Sequence, residues 1–279
     1  MEVGTEKSLH HVISSVLKLS FDLTGIDCTR QQEIASDFLL KNSLVSLTLW
    51  NTILPKALTE FPNITKSFKV HDFPSSYVLI RTLFEGYINM YYLLIDPASD
   101  SECEFRLNIW DRHALIERQK MGISIASKHE QIQKEKEQIE KYTQLIRNSD
   151  YFKSLAKKDQ EYYITTEKWT KLSKTDLARR AGFHKSQSEF IYKFLSNYAH
   201  CDPYALMQIH CIDSPKLAEK FTRKIPIDYT EMILCLTLNI FGQLFPKGRS
   251  MLVKDRILME IIDFWEELKT KDFKEMIAL

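Results

Sequence analysis

Residues 77–95 read YVLIRTLFEGYINMYYLLI, a helical pattern that is apolar or aromatic on almost every side. One stripe breaks it: Arg81, Glu85, Asn89 and Tyr92, at spacings of four, four and three, which fall on one helical face. A helix apolar on most sides belongs at the centre of a bundle. Its polar ribbon must then meet other polar groups or a cleft, because an unpaired buried charge is very costly. Arg81 and Glu85 can pair along the helix. This one segment demands other helices packed around it.

The remaining chain supplies them. Seven glycines and eight prolines in 279 residues leave little turn material, which favours few, long elements. Leu9, Val12, Ile13, Val16 and Leu17 recur at helical spacing over residues 7–19, and Thr29 caps a second pattern that runs to about Leu54. Ser75 and Ser76 are the expected caps of the central helix. Ser99-x-x-Glu102 and Ser186-x-x-Glu189 have the form of capping boxes, and Ser173-x-x-Asp176 and Ser214-Pro215 mark further helix starts. Residues 228–245 read as a buried helix. A last helix over 250–269 turns Leu252, Ile257, Ile261, Phe264 and Leu268 inward. No strand-like alternation bounded by turns appears, so the fold class is an all-α helical bundle. In chain order, N-terminal helices over 1–72 pack on a core helical domain over 73–205, and C-terminal helices over 206–279 complete the bundle.

Isoleucines at 125, 132, 139 and 146 keep a strict seven-residue spacing in a charged stretch with the pairs Glu130–Lys134, Lys136–Glu140 and Glu137–Lys141. So narrow an apolar stripe suits a projecting charged helix, or one arm of a helical hairpin, over about 124–146. Such an arm adds little to the core and offers a surface to a partner protein.

Several function classes recede. The formal net charge is +1, so RNA contact would have to come from a local patch. The apolar runs at 77–95 and 232–245 fall short of the roughly 20 uninterrupted residues of a membrane span. The polar start, with no secretory signal, and five scattered cysteines predict a cytoplasmic protein with free thiols. No cofactor is implied: G-x4-GK[ST] and G-x-S-x-G are both missing. The pairs His200-Cys201 and His210-Cys211 point their side chains apart on a helix, so no metal site is expected. The amides of residues 247–250, ahead of a helix, are candidates for a phosphate.

A second polar ribbon lies in YKFLSNYAH, residues 192–200. On a helix Tyr192, Ser196 and His200 nearly align, and Lys193, Asn197 and His200 form an adjoining row. Phe190, Ile191, Phe194, Leu195 and Tyr198 take the packing face. His200 closes the helix where the rows meet, and Asp202-Pro203 stops it. RTLFE in the central helix, followed about a hundred residues on by Y-x3-S-x3-H, resembles a bacterial all-helical family of unknown function. WTKLSKTDLARRAGFH resembles that family's intervening segment, and the likeness covers residues 73–205.

That family's layout is similar to HEPN domains, the nucleotide-binding and ribonuclease modules of toxin and antiviral systems, whose signature is an Arg, four to six residues, then His. Here the His matches His200, and Lys193 is the basic residue in the range of the Arg. Lys is a departure, being a point charge without the bidentate fork. The resemblance implies a HEPN-like nucleotide-handling protein, with metal-independent RNA cleavage as its catalytic form. His200 would be the acid/base and Lys193 the charge stabiliser, with Asn197 and Ser196 orienting the substrate. Arg81, Glu85, Asn89 and Tyr192 would brace the site or bind ligand. Its implied partners are RNA or a nucleotide and a second copy of the chain. The alternative is a non-catalytic interaction or regulatory protein that binds a partner or a small anionic ligand.

Overall fold

In the computed structural model, which describes residues 1–54, 56–57, 69–70, 72–121, 129–200, 202–210 and 215–272, helix boundaries follow the caps. Thr5 and Ser8 exchange bonds at the start of α1 (Glu6–Asp22), and Thr29 and Gln32 do the same for α2 (Arg30–Ile53). Lys56–Ala57 pairs antiparallel with Lys69–Val70. The central helix α3 (Phe73–Leu94) starts ahead of the expected serine caps. Asp72 accepts the Ser75 N–H at 3.2 Å, which leaves Pro74 in the first turn, where its missing N–H is harmless. Ser76 is instead buried and donates to the Thr52 hydroxyl at 2.9 Å.

Ser99 caps α4 (Asp100–Lys120) through the Glu102 N–H, but Glu102 reaches past the cap to the Ala98 N–H at 3.0 Å. After α5 (His129–Asn148), α6 (Asp150–Ser154), α7 (Lys157–Thr165) and α8 (Lys174–Arg180), the chain turns at Gly182, whose φ of +90° favours glycine. His184, not Ser186, caps α9 (Lys185–Ala199), because its Nδ1 accepts the Ser186 N–H at 3.3 Å. Then come α10 (Pro203–His210), α11 (Pro215–Glu219), a π-helical turn (Lys220–Lys224) and α12 (Ile225–Leu244). Ser214, the expected start of α11, lies outside the described residues.

The expected last helix is two, α13 (Pro246–Leu252) and α14 (Arg256–Leu268), because Asp255 caps a new start by accepting the Leu258 N–H at 3.0 Å. The break resets the inward face to Leu258, Ile261, Ile262, Trp265 and Leu268, and leaves Ile257 and Phe264 outside. Residues 247–250 form the body of α13. Gly248 there is buried against Phe245 and Phe241, so residues 247–250 lie within a helix and not ahead of one as expected.

The chain forms two compact units. One unit joins Met1–Tyr91 to Lys174–Leu279, and the other is Tyr92–Ser173, inserted between them. In the first, α12 is buried around most of its circumference and packs on α1 and α2. Its Glu231 is fully buried, yet answered by the Gly4 N–H at 2.9 Å, the Trp265 Nε1–H at 2.9 Å and the Ser8 hydroxyl. Burial pushes its carboxyl up, against those three donors.

One turn earlier, Asp228 accepts from Lys224 at 2.8 Å, and burial pushes it up to about 6 despite that lysine. A carboxyl raised on folding stabilises the fold below its unfolded range of about 4 and loses that contribution as pH rises through its folded value. Wild type should therefore unfold more readily in urea at pH about 7.5 than at about 5, and Asp228→Asn should flatten the difference. An equally steep pH dependence in the variant would assign the effect to other groups.

In the inserted unit α4 and α5 form the antiparallel hairpin that the charged stretch allowed. Gln119 donates to Glu135 near one end, and the Tyr151 N–H donates to Ser101 near the other. Glu130–Lys134 forms at 2.6 Å, while Glu137 and Glu140 accept from Gln133 and Gln144. Residues 124–128 of the expected arm, Ile125 among them, lie outside the described residues.

The arm is not merely solvated. Ile146 is fully buried with Phe105, Ile109 and Phe152, whereas Ile132 and Ile139 are half-buried. Ile146→Ala should cost about 2–4 kcal/mol, while Ile132→Ala and Ile139→Ala should each cost about 1 kcal/mol or less. Urea unfolding of the three variants tests this, and equal costs would refute the graded burial.

Candidate functional site

Aromatic packing sets α3 beside α9. Tyr77 meets the Phe194 ring at 4.9 Å and the Tyr198 ring at 4.5 Å, and Phe84 meets Phe183 at 5.4 Å. With those faces locked, the polar ribbon of α3 turns toward the polar row of α9.

Arg81 is the hub. Its Nε donates to Glu85 Oε1 at 2.9 Å, its Nη2 to the Tyr192 hydroxyl at 3.3 Å, and its Nη1 lies 3.2 Å from His200 Nε2. The guanidinium also lies 5.3 Å from the Tyr192 ring centroid, within cation–π range. A guanidinium has donors only, so His200 accepts on a bare Nε2 and the ring making this bond carries its proton on Nδ1. The second oxygen of Glu85 faces Lys174 Nζ at 3.4 Å, and Lys174 donates to Asn89 Oδ1 at 3.2 Å. The result is a chain of contacts, His200–Arg81–Glu85–Lys174–Asn89.

The Arg81 and Glu85 side chains are 16% and 28% exposed, so the pair is partly open to water and not the fully buried pair its sequence setting suggested. His200 is exposed. It caps α9, its N–H donating to the Ser196 carbonyl at 3.2 Å, and the Asp202 N–H closes the turn onto the Asn197 carbonyl at 2.9 Å.

The structure thus joins Arg81, Glu85, Tyr192 and His200 directly, and Asn89 through Lys174. Ser196 and Asn197 are half-buried and shape the turn under His200 through their carbonyls. Lys193 is exposed on α9, and the cation bonded to His200 is Arg81. Lys174 escaped the sequence reading. Its one signal is position: it is the first residue of α8, where the helix dipole disfavours a cation and an acidic partner becomes valuable.

Chemically, the network offers a two-pronged cation for phosphate or carboxylate, an imidazole nitrogen beside it and a phenol. Among the described residues no group of three or more His, Cys, Asp or Glu side chains is placed to hold a metal; Cys201 and Cys211 lie outside them. No helix among the described residues is long and apolar enough to cross a membrane.

Fold and site together define an all-helical protein with a network of Arg81, Glu85, Tyr192 and His200 between α3 and α9. Residues 52–216, more than half of the chain, match the family of unknown function DUF5677, and the chain belongs to that family. The matched stretch contains the whole Arg81–His200 network. No curated protein and no solved structure matches the chain.

Proposed function

We propose that the Arg81–His200 cleft is a HEPN-like nucleotide-handling site whose catalytic form is metal-independent RNA cleavage. The observation that carries this is the 3.2 Å contact between a fixed guanidinium and an imidazole nitrogen at the surface. In the HEPN signature the two groups are four to six residues apart; here the cation comes from α3, and Arg81 takes the part that the resemblance gives to Lys193.

In this reading a phosphodiester displaces His200 from Arg81. The bare Nε2 then takes the proton of the ribose 2′-hydroxyl as its oxygen attacks phosphorus. The bond to the 5′-oxygen breaks, leaving a 2′,3′-cyclic phosphate, and the imidazolium returns the proton to that oxygen. Arg81 holds the charge that builds on the non-bridging oxygens. Ser196 and Asn197 orient the ribose, Lys193 meets a flanking phosphate, and Glu85 and Lys174 keep Arg81 in place. The setting that fits is a bacterial defence or toxin-type system.

Incubation of the purified protein with end-labelled RNA, with and without EDTA, tests it. Cleavage that survives EDTA and disappears in His200→Ala supports the reading, while EDTA-sensitive cleavage speaks for other chemistry.

A partner-binding role is favoured by a different observation. Directly after the cleft, α10 exposes Tyr204, Leu206, Met207 and Ile209 together, more apolar surface than scattered single residues leave. A second copy of the chain or another protein covering that face, with the charged α4–α5 hairpin as a further contact, would make the cleft regulatory. Binding without cleavage in the RNA assay, with concentration-dependent self-association, would favour this reading.

A further inference from the structure

A second site stands apart from the Arg81–His200 cleft and from the function proposed for it. Around the π-helical turn the first unit encloses a cavity of about 590 Å³, within the range of small-molecule pockets. Its walls carry five rings, Phe190 from α9, Phe221 from the π turn, Tyr229 from α12, and Phe264 and Trp265 from α14, beside the carboxylates of Glu2 and Asp228. Phe190 and Phe264 are 37% and 39% exposed, so apolar surface remains there for a ligand to cover. Trp265 is held by its bond to the buried Glu231, which makes that part of the wall rigid.

The π turn sets the electrostatics. Single π turns recur at functional sites, because the widened turn re-aims side chains. Here it places Lys220 and Lys224 on the cavity wall, and the Phe221 carbonyl accepts from the Tyr77 hydroxyl at 2.6 Å. A neighbouring groove of about 500 Å³ shares both lysines and adds Lys216 and Arg223. Arg223 is answered by Glu6 at 2.7 Å, and Lys224 by Asp228 at 2.8 Å. Lys220 on the chamber wall and Lys216 in the adjoining groove have no ion pair among the described residues, whereas Asp228, Glu6 and Glu219 are answered by Lys224 and Arg223, so with Glu2 the balance of unanswered charge around the two spaces is one positive.

We propose that this chamber binds an amphiphilic anion, its apolar body among the rings and its carboxylate-like head at Lys220 and Lys216. The shared chemistry fits an acyl chain or an aryl acid, and the test separates them. The full chain is titrated calorimetrically near neutral pH with dodecanoate, 1-naphthylacetate and the neutral dodecanol. Saturable one-to-one binding of dodecanoate alone assigns an acyl ligand, and of naphthylacetate alone an aryl one. Binding of both leaves the chamber a general site for such anions.

The anion should bind about ten-fold more tightly than its neutral counterpart, and reversing the two lysines (Lys216→Glu with Lys220→Glu) should remove that advantage. Met232→Trp, which fills the cavity, should abolish binding. Should that variant fail to fold, Phe264→Asp at the exposed rim serves in its place. His200→Ala should bind as wild type does, which separates this site from the cleft. The proposal is overturned if neither anion saturates, if dodecanol binds as tightly as dodecanoate, or if the lysine reversal changes nothing.

Discussion

Arg106→Ala is expected to destabilise the unit Tyr92–Ser173 by about 3–5 kcal/mol, the usual cost of stranding buried partners of a charge. The Arg106 side chain is only 6% exposed. Its guanidinium donates to Asp96 at 2.6 Å, to Glu102 and to the Tyr92 carbonyl, and lies 3.9 Å from the Tyr92 ring centroid. Removing it leaves two carboxylates and a carbonyl facing an empty space.

The pH dependence gives a second signature. Burial tends to raise the Glu102 carboxyl, but the Ala98 N–H, Tyr151 and Arg106 together hold it below its ordinary range. A depressed carboxyl contributes stability at neutral pH that is lost as pH falls through its folded value. Without Arg106 that loss in acid should shrink, so the variant's deficit is greatest at neutral pH and narrows at pH about 3.5, below the ordinary carboxylate range. Urea unfolding at the two pH values, with hydrogen exchange over residues 92–173, measures both effects. A deficit under about 1 kcal/mol at neutral pH would show that water reaches the three acceptors.

His200→Ala is expected to do the reverse: cost about 1 kcal/mol of stability and, under the proposed RNA-cleaving function, lower cleavage by about 10²–10⁴-fold, the usual contribution of a general acid–base. The ring is exposed at a helix end, so water can replace its one contact. Arg81→Ala separates the roles further. A dry ion pair broken on one side would cost about 3–5 kcal/mol, but Glu85 keeps Lys174 and partial access to water, which lowers the expected cost to about 1–2 kcal/mol. Activity should still fall as far as in His200→Ala, because the developing charge loses its cation. Lys193→Ala, at an exposed position, should lose less. If His200→Ala unfolds as readily as Arg106→Ala, the histidine is architecture and the cleft reading fails.

The sequence carried the helices and the two polar rows, because spacings of three and four are local and survive without tertiary knowledge. The pairing of the rows was expected from the family resemblance and not from the spacing itself. Arg81 meets His200 only because Tyr77, Phe194 and Tyr198 lock α3 on α9, and no pattern within one helix encodes that. Lys174 stands inside WTKLSKTDLARRAGFH, and nothing local marks it as the partner of Glu85. Helix α4 was the hardest to read: Glu102, Arg106, Asn108 and Arg112 are buried on it, so its polar residues point inward and its periodicity says little. The three-residue break Val253–Asp255 was enough to move Ile257 and Phe264 from the expected inner face to the outer one.

The interrupted first unit has a consequence for synthesis on the ribosome. Arg81 and His200 are 119 positions apart, with the whole Tyr92–Ser173 unit translated in between. At about 5–20 residues per second, α3 waits on the order of 6–24 s for the helix that covers it. The inserted unit, contiguous in the chain, can fold during that interval, whereas the apolar face of α3 stays uncovered for the length of it. The nascent chain therefore passes through a stage that invites chaperone capture, and slower elongation after residue 173 should prolong that stage.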